Sequence, residues 1–278
     1  MPCSIITLTT DFGLKDPCVA EMKAVILATS PKASIVDITH EVEKFNVKMG
    51  AYVLAAASTC FPKGTIHVAV VDPGVGTKRQ PIVLQTEKSF FVGPDNGLLA
   101  LAARNTGTIK QIRKIANKEL MLPKVSNTFH GRDIFAPVAA HLANGKRMEE
   151  FGPKLKRILV PTFGEVVKRE GMFVGEVIHV DAFGNIITNL GDKELESARG
   201  NGTVDMELGN RRLKLKLCKA YGEVEGRNGL VLIGSHGFLE IAINQGNAAE
   251  VFAANVGDEV TLHHSRSHVQ QSRHVKLH

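Results

Sequence analysis

The sequence predicts an α/β N-terminal domain with a mainly parallel central sheet, followed by a smaller all-β, barrel-like C-terminal domain. Three observations carry this. In the first half, short β-branched runs alternate with stretches of strong helix formers, the pattern of a helix-covered parallel sheet. Near residues 153–171 a Lys/Pro/Gly-containing connector ends that alternation, and beyond it only short strands spaced by Gly, Asn and Asp remain. The length of 278 residues suits about two domains of ordinary size.

The elements follow in chain order. Residues 4–10 (SIITLTT) read as a strand ending in Asp11-Phe12-Gly13, and residues 18–29 (CVAEMKAVILAT) as a helix stopped by Ser30-Pro31. Residues 33–38 (ASIVDI) form a strand running into Thr39-His40-Glu41. Asn46 is a candidate N-cap for a helix over 47–59. Residues 65–71 (TIHVAVV) end abruptly in Asp72-Pro73-Gly74-Val75-Gly76, a turn that brings the backbone close to another group. Residues 89–92 (SFFV) end in Gly93-Pro94-Asp95-Asn96-Gly97, and Asp133 reads as the N-cap of a helix over 134–144 that Gly145 closes. Parallel sheets bind ligands beyond the carboxyl ends of their strands, so Asp11, Thr39, Asp72 and Asn96 are expected at one edge.

In the second half, strands are expected at 172–180, 186–190, 203–208, 212–217, 230–233, 239–243 and 259–263. The expected division is 1–165 for the α/β domain, 166–262 for the β domain, and 263–278 as a disordered His-rich tail. Two polar clusters stand out in the β domain: Asp181-Ala182-Phe183-Gly184-Asn185 and Ser235-His236-Gly237-Phe238-Leu239-Glu240. They read either as β-turns or as hydrogen-bonding hooks for a purine edge or an amino-acid head group.

Composition narrows the function class. No window approaches a membrane span, and the N-terminus lacks the basic segment, apolar run and cleavage site of a signal peptide. Cys3, Cys18, Cys60 and Cys218 are scattered without metal-ligand spacing, which reads as a cytoplasmic chain with no structural metal. Of the net charge of +6, half lies in the tail as Arg266, Arg273 and Lys276, and no basic stripe suggests nucleic acid. The Pro-Gly-Val-Gly turn lacks the features of a P-loop or dinucleotide fingerprint. What remains is chemistry at the turns. A carboxylate at Asp72, a guanidinium at Arg79 and an imidazole at His130 can together orient and deprotonate a small nucleophile. Taken singly, each also reads as a turn cap, a solvated charge or a packed histidine.

Six segments in order carry a family resemblance: Thr9-Thr10-Asp11-Phe12-Gly13, Asp37-Ile38-Thr39-His40, Val71-Asp72-Pro73-Gly74-Val75-Gly76-Thr77, Gly93-Pro94-Asp95-Asn96-Gly97-Leu98, Phe129-His130-Gly131-Arg132-Asp133 and Phe183-Gly184-Asn185. They resemble the S-adenosyl-L-methionine (SAM) hydroxide adenosyltransferases, or SAM hydrolases, relatives of the fluorinating and chlorinating enzymes. The resemblance spans about residues 5–262. It implies displacement by water at the ribose C5′ carbon of SAM, giving adenosine and L-methionine. SAM is then the substrate, with no cofactor. It also implies a homotrimer whose sites lie between the N-domain of one chain and the C-domain of the next.

The resemblance assigns the nucleophile to Asp72, Arg79 and His130, and the ribose hydroxyls to Asp11. Phe45 falls where the halogenating relatives place a Trp, Asn96 joins the substrate contacts, and Asp181 takes the methionine amino group. Asn185 reads the adenine edge, Ser235 contacts the methionine carboxylate, and Glu240 belongs to the same cluster. Two positions depart from the family: His236 stands where halogenating relatives have Arg, and Cys18 where hydrolases tend to have Tyr. Two other functions compete. A SAM halogenase is opposed by Asp72, which repels halide; a non-catalytic SAM or adenosine sensor predicts binding without turnover.

Overall fold

The computed structural model describes residues 4–161 and 165–264, and its contacts divide the chain into two compact units, Met1–Pro161 and Thr162–His278. Most of the expected tail, residues 265–278, lies outside the described residues.

The first unit contains β1 (Ile5–Thr10), α1 (Cys18–Thr29), β2 (Ser34–Thr39), α2 (Val47–Ser58), β3 (Ile66–Val70), β4 (Pro81–Thr86), β5 (Phe90–Pro94), α3 (Ala100–Asn105), β6 (Ile109–Lys114) and α4 (Ala136–Ala143). Its strands form one six-stranded sheet in the order β2-β1-β3-β5-β4-β6. The pairs β1–β2, β1–β3 and β3–β5 are parallel, whereas β4 is antiparallel to both β5 and β6. The sheet is therefore mixed, with β4 the strand that runs against the rest. The chain leaves β1 toward β2 on one side and returns to β3 on the other. That reversal makes a switch point between β1 and β3, where ligands enter open α/β sheets.

Burial explains why β3 reads as a continuous apolar run: all five of its residues are buried, as expected of a strand covered on both faces. Ile66, Val68 and Val70 share a core with Met22 and Ile26 of α1 and Val138 and Ala139 of α4. Gly50 lets α2 close in, since a Cβ there would lie 2.8 Å from Leu98 Cδ1 and 3.0 Å from Val71 Cγ2. Asn46 caps α2 as expected, accepting the Met49 amide at 2.9 Å. The other cap expectation needs correction. Asp133 lies inside a π-turn, Gly131–Phe135, that precedes α4, and its carboxylate serves Ser126 and Arg132.

The second unit contains β7 (Val167–Arg169), β8 (Met172–Val180), β9 (Ile186–Gly191), α5 (Asp192–Ala198), β10 (Thr203–Leu208), β11 (Arg211–Leu217), β12 (Gly229–Ile233), β13 (Phe238–Ile243), α6 (Ala248–Phe252) and β14 (Glu259–His263). Pairing runs β14-β10-β11-β12-β13-β9-β8, and β14 pairs again with β8, closing a barrel with β7 flanking β8. Its interior is filled by side chains including Phe173, Val177, Ile186, Val204, Val231, Ile241 and Val260, so the barrel is a packed core. No helix among the described residues is long and apolar enough to cross a membrane.

A buried imidazole on β3 couples the stability of the first unit to pH. His67, on β3, has no exposed surface; Thr7 Oγ1 lies 2.8 Å from its Nδ1, and its ring stacks on Phe91 at 5.0 Å. Burial lowers its pKa from 6.5 to about 4. The unfolded chain therefore binds a proton between these values that the folded chain refuses. Stability is full above pH 6.5 and falls as pH drops toward 4, by about 3 kcal/mol in all. Urea unfolding at pH 7 and pH 4.5 should show His67→Gln losing less stability than the wild type over that interval, by roughly 2–3 kcal/mol. Equal losses would show that His67 is not the titrating group.

Candidate active site

The site is built at the switch point, where β1 ends in Asp11 and β3 runs out through Val71 into Asp72. Asp11 is buried and accepts the Phe45 amide on Oδ2 at 2.8 Å, while Lys44 Nζ donates to the Asp11 carbonyl. Phe45 reaches that position with φ of 66°, a left-handed conformation that few non-glycine residues adopt, and the residue is 70 % exposed. The same loops are tied again by Gly13, whose amide donates to the His40 carbonyl at 2.7 Å.

The turn after β3 folds back on itself. The Val75 amide donates to the Asp72 carbonyl at 3.2 Å, and Thr77 Oγ1 donates to the Gly74 carbonyl at 2.6 Å. This returns Arg79 to Asp72 as a two-pronged pair, Nε to Oδ1 at 2.9 Å and Nη2 to Oδ2. The two side chains are only 9 % and 4 % exposed, and the guanidinium lies 5.5 Å over the Phe135 ring. Arg79 Nη2 also meets His130 Nδ1 at 2.7 Å. A guanidinium can only donate, so Nδ1 must carry a lone pair, and the neutral imidazole has its proton on Nε2. Burial, and then the Arg79 charge, hold the His130 pKa below the ordinary histidine value. Arg79 Nη1 is buried and has no hydrogen-bond partner among the described residues.

Asp11, Phe45, Asp72 and His130 line one cavity of about 280 Å³, together with Lys44, Cys18, Thr128 and the edge-to-face pair Phe12 and Phe129. Of these, Lys44 and Thr128 escaped the sequence reading. The only hint was their place beside Phe45 and within the Phe129-His130 segment. A larger cavity of about 820 Å³ lies on the second unit along β10 and β11. It contains none of the expected residues, so volume is a poor guide here. Asn96 does not line the 280 Å³ cavity. Its amide donates to the Val71 carbonyl at 2.8 Å and its Oδ1 accepts the Leu98 amide at 3.2 Å, bracing the residue before Asp72.

In the second unit, Asp181 closes a tight turn. Oδ1 accepts the Phe183 and Asn185 amides and Oδ2 accepts Asn185 Nδ2, each at 2.9 Å. Phe183 at its tip is 77 % exposed. Ser235 and His236 occupy the β12–β13 turn, closed by the Gly237 amide on the Gly234 carbonyl at 2.9 Å. Glu240 is buried, accepts Tyr221 Oη–H at 2.7 Å, and packs where a Gly234 Cβ would otherwise sit. Ile186 pairs with Ile241 and Gly191 with Phe238, so these two turns lie at opposite ends of the β9–β13 ladder. Among the described residues no cluster of three His, Cys, Asp or Glu could hold a metal ion.

Known proteins resemble this chain over most of its length. The model of the SAM hydroxide adenosyltransferase N-terminal domain matches residues 6–152, and that of the C-terminal domain matches residues 175–261. A Methanocaldococcus jannaschii protein named (R)-S-adenosyl-L-methionine hydrolase is 40 % identical, over 93 % of this chain and 95 % of that one. A fluorinase from an Actinoplanes species is more distant, at 25 % identity over 93 % and 97 %. The crystal structure of an uncharacterized conserved protein from Thermotoga maritima superposes with a TM-score of 0.86 at 44 % identity, covering 92 % of this chain and 99 % of its own.

Gly76 ties the Asp72–Arg79 turn to the loop before His130. Its φ is 73°, and a Cβ would lie 2.4 Å from the Asn127 carbonyl oxygen. Gly76→Ala is expected to destabilise the first unit by about 2 kcal/mol, read by urea unfolding. An unchanged midpoint would mean that the turn relaxes freely.

Proposed function

The chain belongs to the SAM hydroxide adenosyltransferase family, and from that premise we propose that it hydrolyses SAM at the ribose C5′ carbon with Asp72, Arg79 and His130 holding the water. The observation that carries the reading is that Asp72 and His130, far apart in sequence, line one cavity and are joined behind it by Arg79. In the reaction the water oxygen bonds to C5′ as the C5′–S bond breaks. The bonding pair stays on sulfur, so the leaving group is the neutral thioether of L-methionine and needs no acid. The water proton must go elsewhere. His130 has its lone pair committed to Arg79, whereas each Asp72 oxygen retains acceptor capacity, so Asp72 takes the proton. Arg79, paired with Asp72 and in contact with His130, supplies the positive charge that favours the developing hydroxide.

Around this centre, Asp11 receives the ribose hydroxyls and Phe45 covers the sugar; both already line the cavity. Asn185 and Ser235 keep the adenine and methionine-carboxylate contacts that the resemblance gives them, whereas Asp181, its oxygens engaged within its own turn, is reassigned to orienting Asn185. Asn96 is reassigned to bracing Asp72, and Glu240 to supporting the Ser235 turn. The preferred substrate is the (R)-sulfonium epimer, supported by the names of the hydrolase relatives. Halide displacement is disfavoured because a carboxylate at position 72 repels an anion. The reading includes a homotrimer with inter-subunit sites, in the cytoplasm. A light-scattering mass about three times 30.1 kDa supports the trimer, and a single-chain mass excludes it.

Incubation with each purified epimer in halide-free buffer should release adenosine, faster from the (R) form; no adenosine from either ends the proposal. Asp72→Ala and Arg79→Ala should lower kcat by about 10²–10⁴-fold while SAM still binds, whereas a non-catalytic sensor would show no turnover to lose. Because His130 must stay neutral and its pKa is lowered, activity should fall with acid only below the ordinary histidine value of 6.5. An acid limb above 6.5 would contradict the assigned tautomer.

A further inference from the structure

We propose that Asp133, acting with Arg132, is a positioning residue that holds His130 where it can accept the Arg79 hydrogen bond; the proposal rests on the reading of His130 given above. Asp133 is completely buried, and both carboxylate oxygens are occupied. Arg132 Nε donates to Oδ1 at 2.7 Å and the Ser126 amide donates to Oδ2 at 2.7 Å. The Asp133 amide returns to the Phe129 carbonyl at 3.1 Å. Ser126 continues the tie: its Oγ accepts the Phe129 amide at 3.1 Å. A single buried residue therefore grips both ends of the 126–129 loop, its carboxylate on Ser126 and its amide on Phe129, and the next residue carries the ring.

Arg132 anchors that carboxylate from outside. Its Nη1 donates to Glu21 on α1 at 2.9 Å, and its guanidinium lies 5.0 Å over the Phe129 ring. Arg79 touches His130 directly, the Asp72 and Asp133 charges act on it, and Asp11, Cys18 and Lys44 line the same cavity. The π-turn Gly131–Phe135 holds this arrangement together, with Asp133 in its middle and the Arg79 platform, Phe135, at its end. Backbone departures of this kind recur at functional sites. A ring rotation, or a shift of the proton to Nδ1, would set an N–H against a guanidinium N–H and end the contact.

The test is nitrogen-15 NMR of the imidazoles, with steady-state kinetics, on wild type, Asp133→Asn and Arg132→Gln. The His130 signal is identified by its loss in His130→Gln. In wild type His130 should be the Nε2–H tautomer. Asp133→Asn should mix the tautomers, move the acid limb of the rate profile and lower kcat about 10- to 100-fold, with KM within about threefold. Arg132→Gln keeps the Asp133–Ser126 bond, so it should act in the same direction but less, about three- to tenfold, and it serves as the test should Asp133→Asn fail to fold. Wild-type tautomer, acid limb and kcat per folded site in both variants would overturn the proposal, whatever the yield of protein. A tautomer that depends on Asp133 in a chain that releases no adenosine would support the positioning and refute the hydrolase reading instead.

Discussion

The buried pair of Asp72 and Arg79 is the constraint on which the site depends. Ion pairs taken out of water cost desolvation that their attraction repays only with good geometry, and apolar residues of similar size are often at least as stable. Stability therefore does not explain the pair. Its geometry does: two prongs, Nε and Nη2, fix the guanidinium plane, so that Nη2 also reaches His130 and only Nη1 is left without a protein partner among the described residues. Each neighbouring feature serves that plane. The Pro73–Gly76 turn brings Arg79 back, Phe135 lies beneath it, and Asn96 holds the peptide from which Asp72 projects.

Much of this was legible in the sequence, and the rest was hidden for identifiable reasons. The strands of the first unit that end in Asp11, Thr39, Asp72 and the Asn96 turn could be read because each couples a β-branched or aromatic run to a turn signal. β4 and β6 were passed over. Four of the six residues 109–114 (IKQIRK) are polar, as suits an edge strand, and residues 81–86 (PIVLQT) open on a proline close after the Asp72–Arg79 turn. The seven barrel strands could be read because Gly, Asn and Asp punctuate them so regularly. α5 and α6, at seven and five residues, are too short to show a helical period.

The site was legible as residue types and illegible as roles. Asp133 before an apolar helix looks like an N-cap, and only the fold shows that it faces Ser126 and Arg132. Asn96 stands at a strand end like Asp11 and Asp72, yet its amide is used on Val71. A local pattern reports which groups are available at a turn; which partner each takes depends on contacts dozens of residues away. Arg132 to Glu21 is an example, joining residues 111 positions apart.

The irregular backbone at the site follows from the same geometry. Strand-end loops are the mobile part of an α/β domain, and a water molecule must be held to a fraction of an ångström to be aimed at one carbon. Phe45 accepts a left-handed conformation, a cost of about 1–3 kcal/mol, and its amide thereby fixes the Asp11 carboxylate. The π-turn gives up regular helical bonding at the start of α4 and thereby places Asp133 under the His130 loop. Both distortions sit where a carboxylate or imidazole must point into the 280 Å³ cavity. Because the sulfonium needs no help to leave, this part of the fold can direct its donors and its strain toward the nucleophile.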